Sequence, residues 1–184
     1  MKWNEHSDLK DLHALLSPSK YHWTNYDDDK LAAYYNNIRA KEKGTELHLL
    51  ASMCIENRVR LERKKKALNL FVNDSIGFRM KTEQTLKYSD NAFGTADAIA
   101  FRDGKLRIFD FKSGVVKASF RQLDLYAAYF CLEYNEDPRT IEIIQRIYQY
   151  DGFEESIADG AAIKDLMDRT VASDKLIEML KKQV

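Results

Sequence analysis

The sequence has few residues that break regular structure or cross-link a chain. Its 184 residues include two prolines, seven glycines and two cysteines. Cys54 and Cys131 stand far apart, without the CxxC spacing of redox and zinc motifs. We therefore expect both to be small core residues of a protein that works in a reducing compartment. An iron–sulfur cluster is held by four cysteines, so this chain cannot build one by itself.

An excess of one charge and a long apolar run are also missing. Lysine and arginine number 29, aspartate and glutamate number 29, and the formal net charge is zero. Affinity for a polyanion must then come from a local patch. No apolar run reaches transmembrane length, and the opening MKWNEHSDLKDLH is too polar for a secretory signal. We expect a cytoplasmic protein with no membrane partner. No Walker-A motif occurs either, so no ATP-driven motor is expected.

The hydrophobic pattern predicts a single mixed α/β domain over residues 1–184. Residues 1–43 form a helical N-terminal region, 44–150 the core, and 151–184 the C-terminal helical part. In the N-terminal region a short helix is expected through KLAAYYNNIRAK.

A clearer helix is predicted to begin at Thr45, an N-cap after Gly44, and to run into the basic segment ENRVRLERKKKAL. His48 lies at the margin of its apolar stripe. That stripe consists of Leu47, Leu50, Ala51 and Cys54.

Three strands are expected next, near 77–88, 94–102 and 105–112. The turn Asp103–Gly104 joins the last two as a tight hairpin. A helix capped by Ser119, a strand over 140–150 and an amphipathic helix over 163–182 complete the chain.

Charged side chains stand in the apolar third strand. Asp110 and Lys112 share one of its faces, and the hairpin register places Asp97 opposite Asp110. Facing carboxylates repel unless a cation lies between them. Oxygen ligands of this kind suit Mg²⁺ or Mn²⁺. The alternative is a structural ion-pair cluster at the end of the sheet, in an unrelated α/β protein.

Four segments in order, GTELHLLA, GTADAIA, IFDFKSG and RQLDLYAAYF, resemble the RecB-type branch of the PD-(D/E)XK nuclease superfamily. The resemblance covers roughly residues 44–131. It implies a restriction-endonuclease-like fold, in which helices flank a central mixed sheet. It also implies a metal-dependent deoxyribonuclease that needs neither ATP nor an iron–sulfur cluster.

The resemblance also implies roles for individual residues. The metal ligands would be His48, Asp97, Asp110 and the main-chain carbonyl of Phe111. Lys112 would orient the attacking water and neutralise the scissile phosphate. The other residues expected at the catalytic site are Gln122 and Tyr126, which support it and contact DNA, and Glu83 as a further acid.

Several of these residues have a structural alternative. His48 could be a half-buried histidine bonded to the backbone, and Tyr126 a plain core residue. Ser119 and Gln122 could form a capping box, and Glu83 could be a solvated strand residue. The basic run after the His48 helix could be a solvated face or could contact DNA phosphates; it comprises Arg58, Arg60, Arg63, Lys64, Lys65 and Lys66.

The expected function is an exonuclease that acts on DNA ends or single strands in replication, recombination or repair, in a bacterial or phage-infected cell. An endonuclease or nickase is the alternative within the enzyme class. The alternative from another class is a catalytically silent DNA- or protein-binding module. Formation of a homo-oligomer, or binding to a replication or recombination protein, stays open.

Overall fold

Four α-helices and five β-strands form the regular structure of residues 14–183, the part of the chain that the computed structural model describes. The side chains of Lys20 and Tyr21 are not described. The helices are α1 (Asp28–Glu56), α2 (Ala67–Gly77), α3 (Arg121–Tyr134) and α4 (Gly160–Lys181), and the strands are β1 (Lys81–Ser89), β2 (Ala92–Arg102), β3 (Lys105–Lys112), β4 (Glu142–Gln149) and β5 (Gly152–Ile157).

The chain divides into two compact units, Met1–Lys43 and Gly44–Val184. In the first unit a 3₁₀ helix (Pro18–Asn25) precedes α1. Asp27 caps α1, because its Oδ1 accepts the Lys30 N–H at 2.8 Å. The Trp23 indole donates to the Ser17 carbonyl at 3.2 Å and fixes the 3₁₀ segment.

The second unit contains a five-stranded mixed sheet in the order β1-β2-β3-β4-β5. Only β3 and β4 are parallel, and α3 connects them; every other neighbouring pair is antiparallel. The central strand β3 is apolar and buried because both of its faces are covered. This arrangement confirms the mixed α/β class, with helices around a central sheet.

Two hydrophobic cores cover the two faces of the sheet. Helices α3 and α4 pack on one face against β3 residues such as Leu106 and Ile108. The last turns of α1, together with α2, pack on the other face against Phe109 and Phe111. Cys54 and Cys131 are buried and carry free thiols, and burial raises the pKa of Cys131 to about 12. Strand β3 thus separates the two cores and contributes to both.

The predicted helix start at Thr45 is wrong, because α1 runs without a break through Gly44. A single glycine weakens a helix by only about 1 kcal/mol, which the helix formers on both sides offset. A Cβ atom at Gly44 would lie 3.0 Å from Ser113 Oγ, so this glycine allows a close approach. Leu50 is 45% exposed and leaves the predicted stripe, which the buried side chain of Ile55 joins.

The basic segment is not helical, as predicted, but an ordered loop between α1 and α2. The Asn73 side chain accepts the Leu61 N–H at 3.0 Å and donates to the Leu61 carbonyl at 2.9 Å. These two bonds hold the segment against α2. Neither α2 nor β5 was expected, because the polar residues of α2 interrupt its periodicity and β5 is a short, charged edge strand. In the described part of the chain no helix is both long and apolar enough to cross a membrane.

Gly160, at the start of α4, lies against the backbone of the segment before β4. A Cβ atom there would clash with the Pro138 carbonyl oxygen and stand 2.8 Å from Arg139 Cα. We expect Gly160→Ala to lower the free energy of unfolding by about 1–3 kcal/mol, measured by urea denaturation. Gly152→Ala is the matched control, because its Cβ would meet open space. Equal stability of both variants would contradict this packing.

Candidate metal centre

Strands β2 and β3 part at the point where the charged residues stand. The tight turn Asp103–Gly104, with φ of 51° and 68°, sets the predicted register. The last paired residues are Ala98 and Phe109. Beyond them the Phe111 N–H has no partner in β2 and donates to Asp97 Oδ2 at 2.9 Å. A carboxylate therefore replaces the main chain at the end of the ladder.

Three potential metal ligands converge on this position from α1, β1 and β2. Ligand atoms of His48, Glu83 and Asp97 all lie within 4.8 Å of one another. His48 Nδ1 is 3.4 Å from Asp97 Oδ2, and the imidazole packs on the Phe111 ring at 5.3 Å between centroids. One nitrogen and two carboxylates thus face a common point.

The backbone is irregular on both strands of this cluster. Glu83 has a φ of +47°, a conformation that glutamate rarely adopts. The pairs on either side of it place Glu83 opposite Asp97. Ala96 packs in the α3 core and Ala98 in the α1 core, so the usual alternation of faces is interrupted at Asp97. This irregularity turns Asp97 towards His48.

Asp110 and Lys112 form an ion pair at the buried end of β3. Lys112 Nζ donates to Asp110 Oδ1 at 3.1 Å and lies 3.0 Å from Oδ2. The Asp110 side chain is 3% exposed and its Oδ2 has no hydrogen-bond partner among the described residues. The sequence grouped Asp110 with His48 and Asp97, whereas the structure brings Glu83 to them and pairs Asp110 with Lys112.

A relay of hydrogen bonds supports Lys112 from α3. Its Nζ donates to Gln122 Oε1 at 3.1 Å, and Gln122 Nε2 donates to the Tyr126 hydroxyl at 2.9 Å. Tyr126 in turn donates to the Thr95 carbonyl at 2.6 Å. Because a carbonyl only accepts, the relay has one direction, and the amide oxygen of Gln122 must face the ammonium.

This relay rules out the capping box, because the Gln122 side chain is used within the site. Ser119 does help to start α3, since its hydroxyl accepts the Arg121 N–H at 3.3 Å. The sequence did not predict Thr95 as a partner, because it contributes a main-chain atom. Gly94 leaves the space for the Tyr126 ring, which would stand 3.0 Å from a Cβ there.

The titratable groups of this site hold protons more tightly than usual. Burial, and then the Asp97 charge, raise the pKa of Asp110 from 3.8 to about 6. Burial and the Asp97 charge also raise the pKa of Glu83, and the bond to Asp97 raises the pKa of His48. Burial raises the pKa of the Tyr126 hydroxyl. Negative charge is therefore in excess, which favours a bound cation.

The basic loop lies apart from this constellation in its contacts. Arg60 donates to the Asn73 carbonyl at 3.3 Å, and Lys64 pairs with Glu62 at 2.8 Å. Arg58 has a φ of +56°. The predicted phosphate contacts of Arg58, Arg60, Arg63 and Lys64 remain predictions. Neither the protein-family models nor the curated proteins yield a match to this chain.

Asp110 should destabilise the metal-free protein at neutral pH. Its folded pKa, about 6, is above its unfolded value of 3.8. The folded state therefore binds more protons between these values, and stability falls as the pH rises through that window. We expect Asp110→Asn to remove this loss and to raise the unfolding free energy at pH 7 by about 2–3 kcal/mol.

The measurement is urea denaturation in EDTA from pH 4 to pH 7. Asp165→Asn, an exposed change on α4, is the control and should keep the wild-type pH profile. An Asp110→Asn protein with the same profile as wild type would show that the carboxylate ionises without penalty.

Proposed function

We propose that this protein is a metal-dependent deoxyribonuclease of the kind that its four sequence motifs resemble. The observation that carries the proposal is the convergence of His48, Glu83 and Asp97 beside the Asp110–Lys112 ion pair. Metal-ligand donors next to a fixed cation are what phosphodiester hydrolysis requires. A structural ion-pair cluster would not need a histidine and two acids at one point.

The donor set fits a divalent cation. His48, Glu83 and Asp97 would hold it, and Asp110 Oδ2, buried and without a hydrogen bond, is one more oxygen available nearby. Carboxylates suit Mg²⁺ and Mn²⁺, and the imidazole favours Mn²⁺ of the two. Such an ion lowers the pKa of water and stabilises charge on a phosphoryl oxygen.

Lys112 can hold the substrate phosphate. An ammonium donates three hydrogen bonds, of which Asp110 and Gln122 accept two. The third donor remains for a phosphate oxygen, and the side chain is 33% exposed. Gln122 and Tyr126 act as positioning residues, because their relay fixes the ammonium before substrate arrives.

Lys112→Ala should lower DNA hydrolysis by about 10²–10³-fold, because a preorganised cation at the phosphate is lost. The assay follows end-labelled linear DNA and closed circular single-stranded DNA with Mn²⁺ or EDTA. Lys105→Ala is the matched control, since Lys105 lies at the opposite end of β3 and pairs with Glu142.

Loss of linear DNA alone would identify an exonuclease, and cutting of both substrates an endonuclease or nickase. A wild-type protein that binds DNA but cuts neither would favour the silent binding module. Full activity of Lys112→Ala would contradict the proposed site.

Mn²⁺ should stabilise the fold by mass action. At a concentration 100 times Kd the gain is about 2.7 kcal/mol, or roughly 5–10 °C in Tm. Asp97→Asn should abolish the shift, whereas the exposed Asp165→Asn should keep it. Because protons compete at His48 and Glu83, whose pKa values are raised, the shift should grow from pH 5 to pH 7. A shift that Asp97→Asn leaves unchanged would place the ion elsewhere.

A further inference from the structure

The segment between β3 and α3, residues 113–120, carries the most exposed apolar side chains among the described residues. Val115 is 86% exposed and Val116 is 81% exposed. Neighbouring apolar side chains that face solvent on an ordered segment point to a ligand, because folding gains nothing from them. We call this segment the valine loop.

The valine loop is held in place by its main chain. Gln149, at the end of β4, is 8% exposed and donates to the Gly114 and Val116 carbonyls at 2.7 Å each. Its oxygen accepts the Ala118 N–H at 3.2 Å. The Tyr150 hydroxyl donates to the Val115 carbonyl at 2.7 Å. The valine side chains are therefore presented by a fixed backbone.

The valine loop begins and ends at the candidate site. Lys112 precedes it and Gln122 follows it, and these two side chains are bonded to each other at 3.1 Å. Three residues span at most about 10 Å, so Val115 lies within reach of the nucleotides next to a phosphate on Lys112. A nucleotide advances a strand by about 3.4 Å.

The chemistry of the loop tip suits a base and not a phosphate. Lys117, its one cation, pairs with Glu154 at 3.2 Å. The tip otherwise offers the two valines, and beside them the half-exposed ring of Tyr150. Base faces are apolar and stack on such rings, but a duplex covers them, except at its ends and where the strands separate.

We propose that Val115 and Val116 contact unpaired nucleobases beside the scissile phosphate, and that they make the site selective for single-stranded or frayed DNA. This inference rests on the proposed function. It adds a contact made to the base, which the metal centre and Lys112 do not provide.

The experiment compares the double variant Val115→Ser/Val116→Ser with wild type on three substrates in Mn²⁺. These are a single-stranded oligonucleotide, a blunt duplex and the small diester bis(p-nitrophenyl) phosphate. Val59→Ser is the control, because Val59 is 54% exposed on the basic loop. Binding of the labelled single strand is measured separately in Ca²⁺, without turnover.

We expect the double variant to lose about tenfold in kcat/KM and in affinity for the single strand. Hydrolysis of the small diester should stay within about twofold, and Val59→Ser should match wild type throughout. Val115→Leu/Val116→Leu should restore the single-strand activity.

Each failure has its own signature. Single-strand cutting and binding that ignore the two valines would overturn the loop proposal and leave the nuclease intact. Binding that depends on the valines without any hydrolysis would sustain the loop contact and overturn the proposed function. A wild-type protein that neither binds nor cuts would overturn both.

Discussion

The burial of Asp110 in the central strand is the constraint on which the site depends. A carboxylate that is almost fully buried needs compensating charge, and Lys112 supplies only part of it because Asp97 opposes it. The neighbouring elements then fix the compensating groups. Helix α3 orients the ammonium through Gln122, and α1 brings His48 to Asp97. The two hydrophobic cores supply the stability that this end of the sheet lacks.

The site combines side chains from both faces of the sheet. Asp110 and Lys112 belong with the α3 side, whereas His48 packs on Phe111 on the α1 side. Such groups would normally stand on opposite sides of a strand. They meet because the strands part at Asp97 and the backbone of Glu83 adopts a left-handed conformation. Strain of this kind persists where the surroundings impose it, and it costs about 1–3 kcal/mol.

The sequence predicted what periodicity and turn chemistry encode. The hairpin at Asp103–Gly104, its register and the final helix follow from local patterns and are confirmed. The start at Thr45 was wrong because packing overrides one glycine in a long helix. The grouping of Glu83 with His48 depends on a positive φ that nothing in the residue type reveals. The bond of Tyr126 to a main-chain carbonyl is equally invisible in sequence.

The end of the β2–β3 ladder at Ala98 and Phe109 has a mechanical consequence. Beyond that pair β2 follows β1 and β3 follows β4, so the sheet divides like a fork with two independently supported prongs. One hydrogen bond, from the Phe111 amide to Asp97, joins the prongs near their base. The gap can therefore widen or narrow by small rotations while the hairpin below stays rigid. A fork of this kind can adapt to groups of different size without disturbing either core.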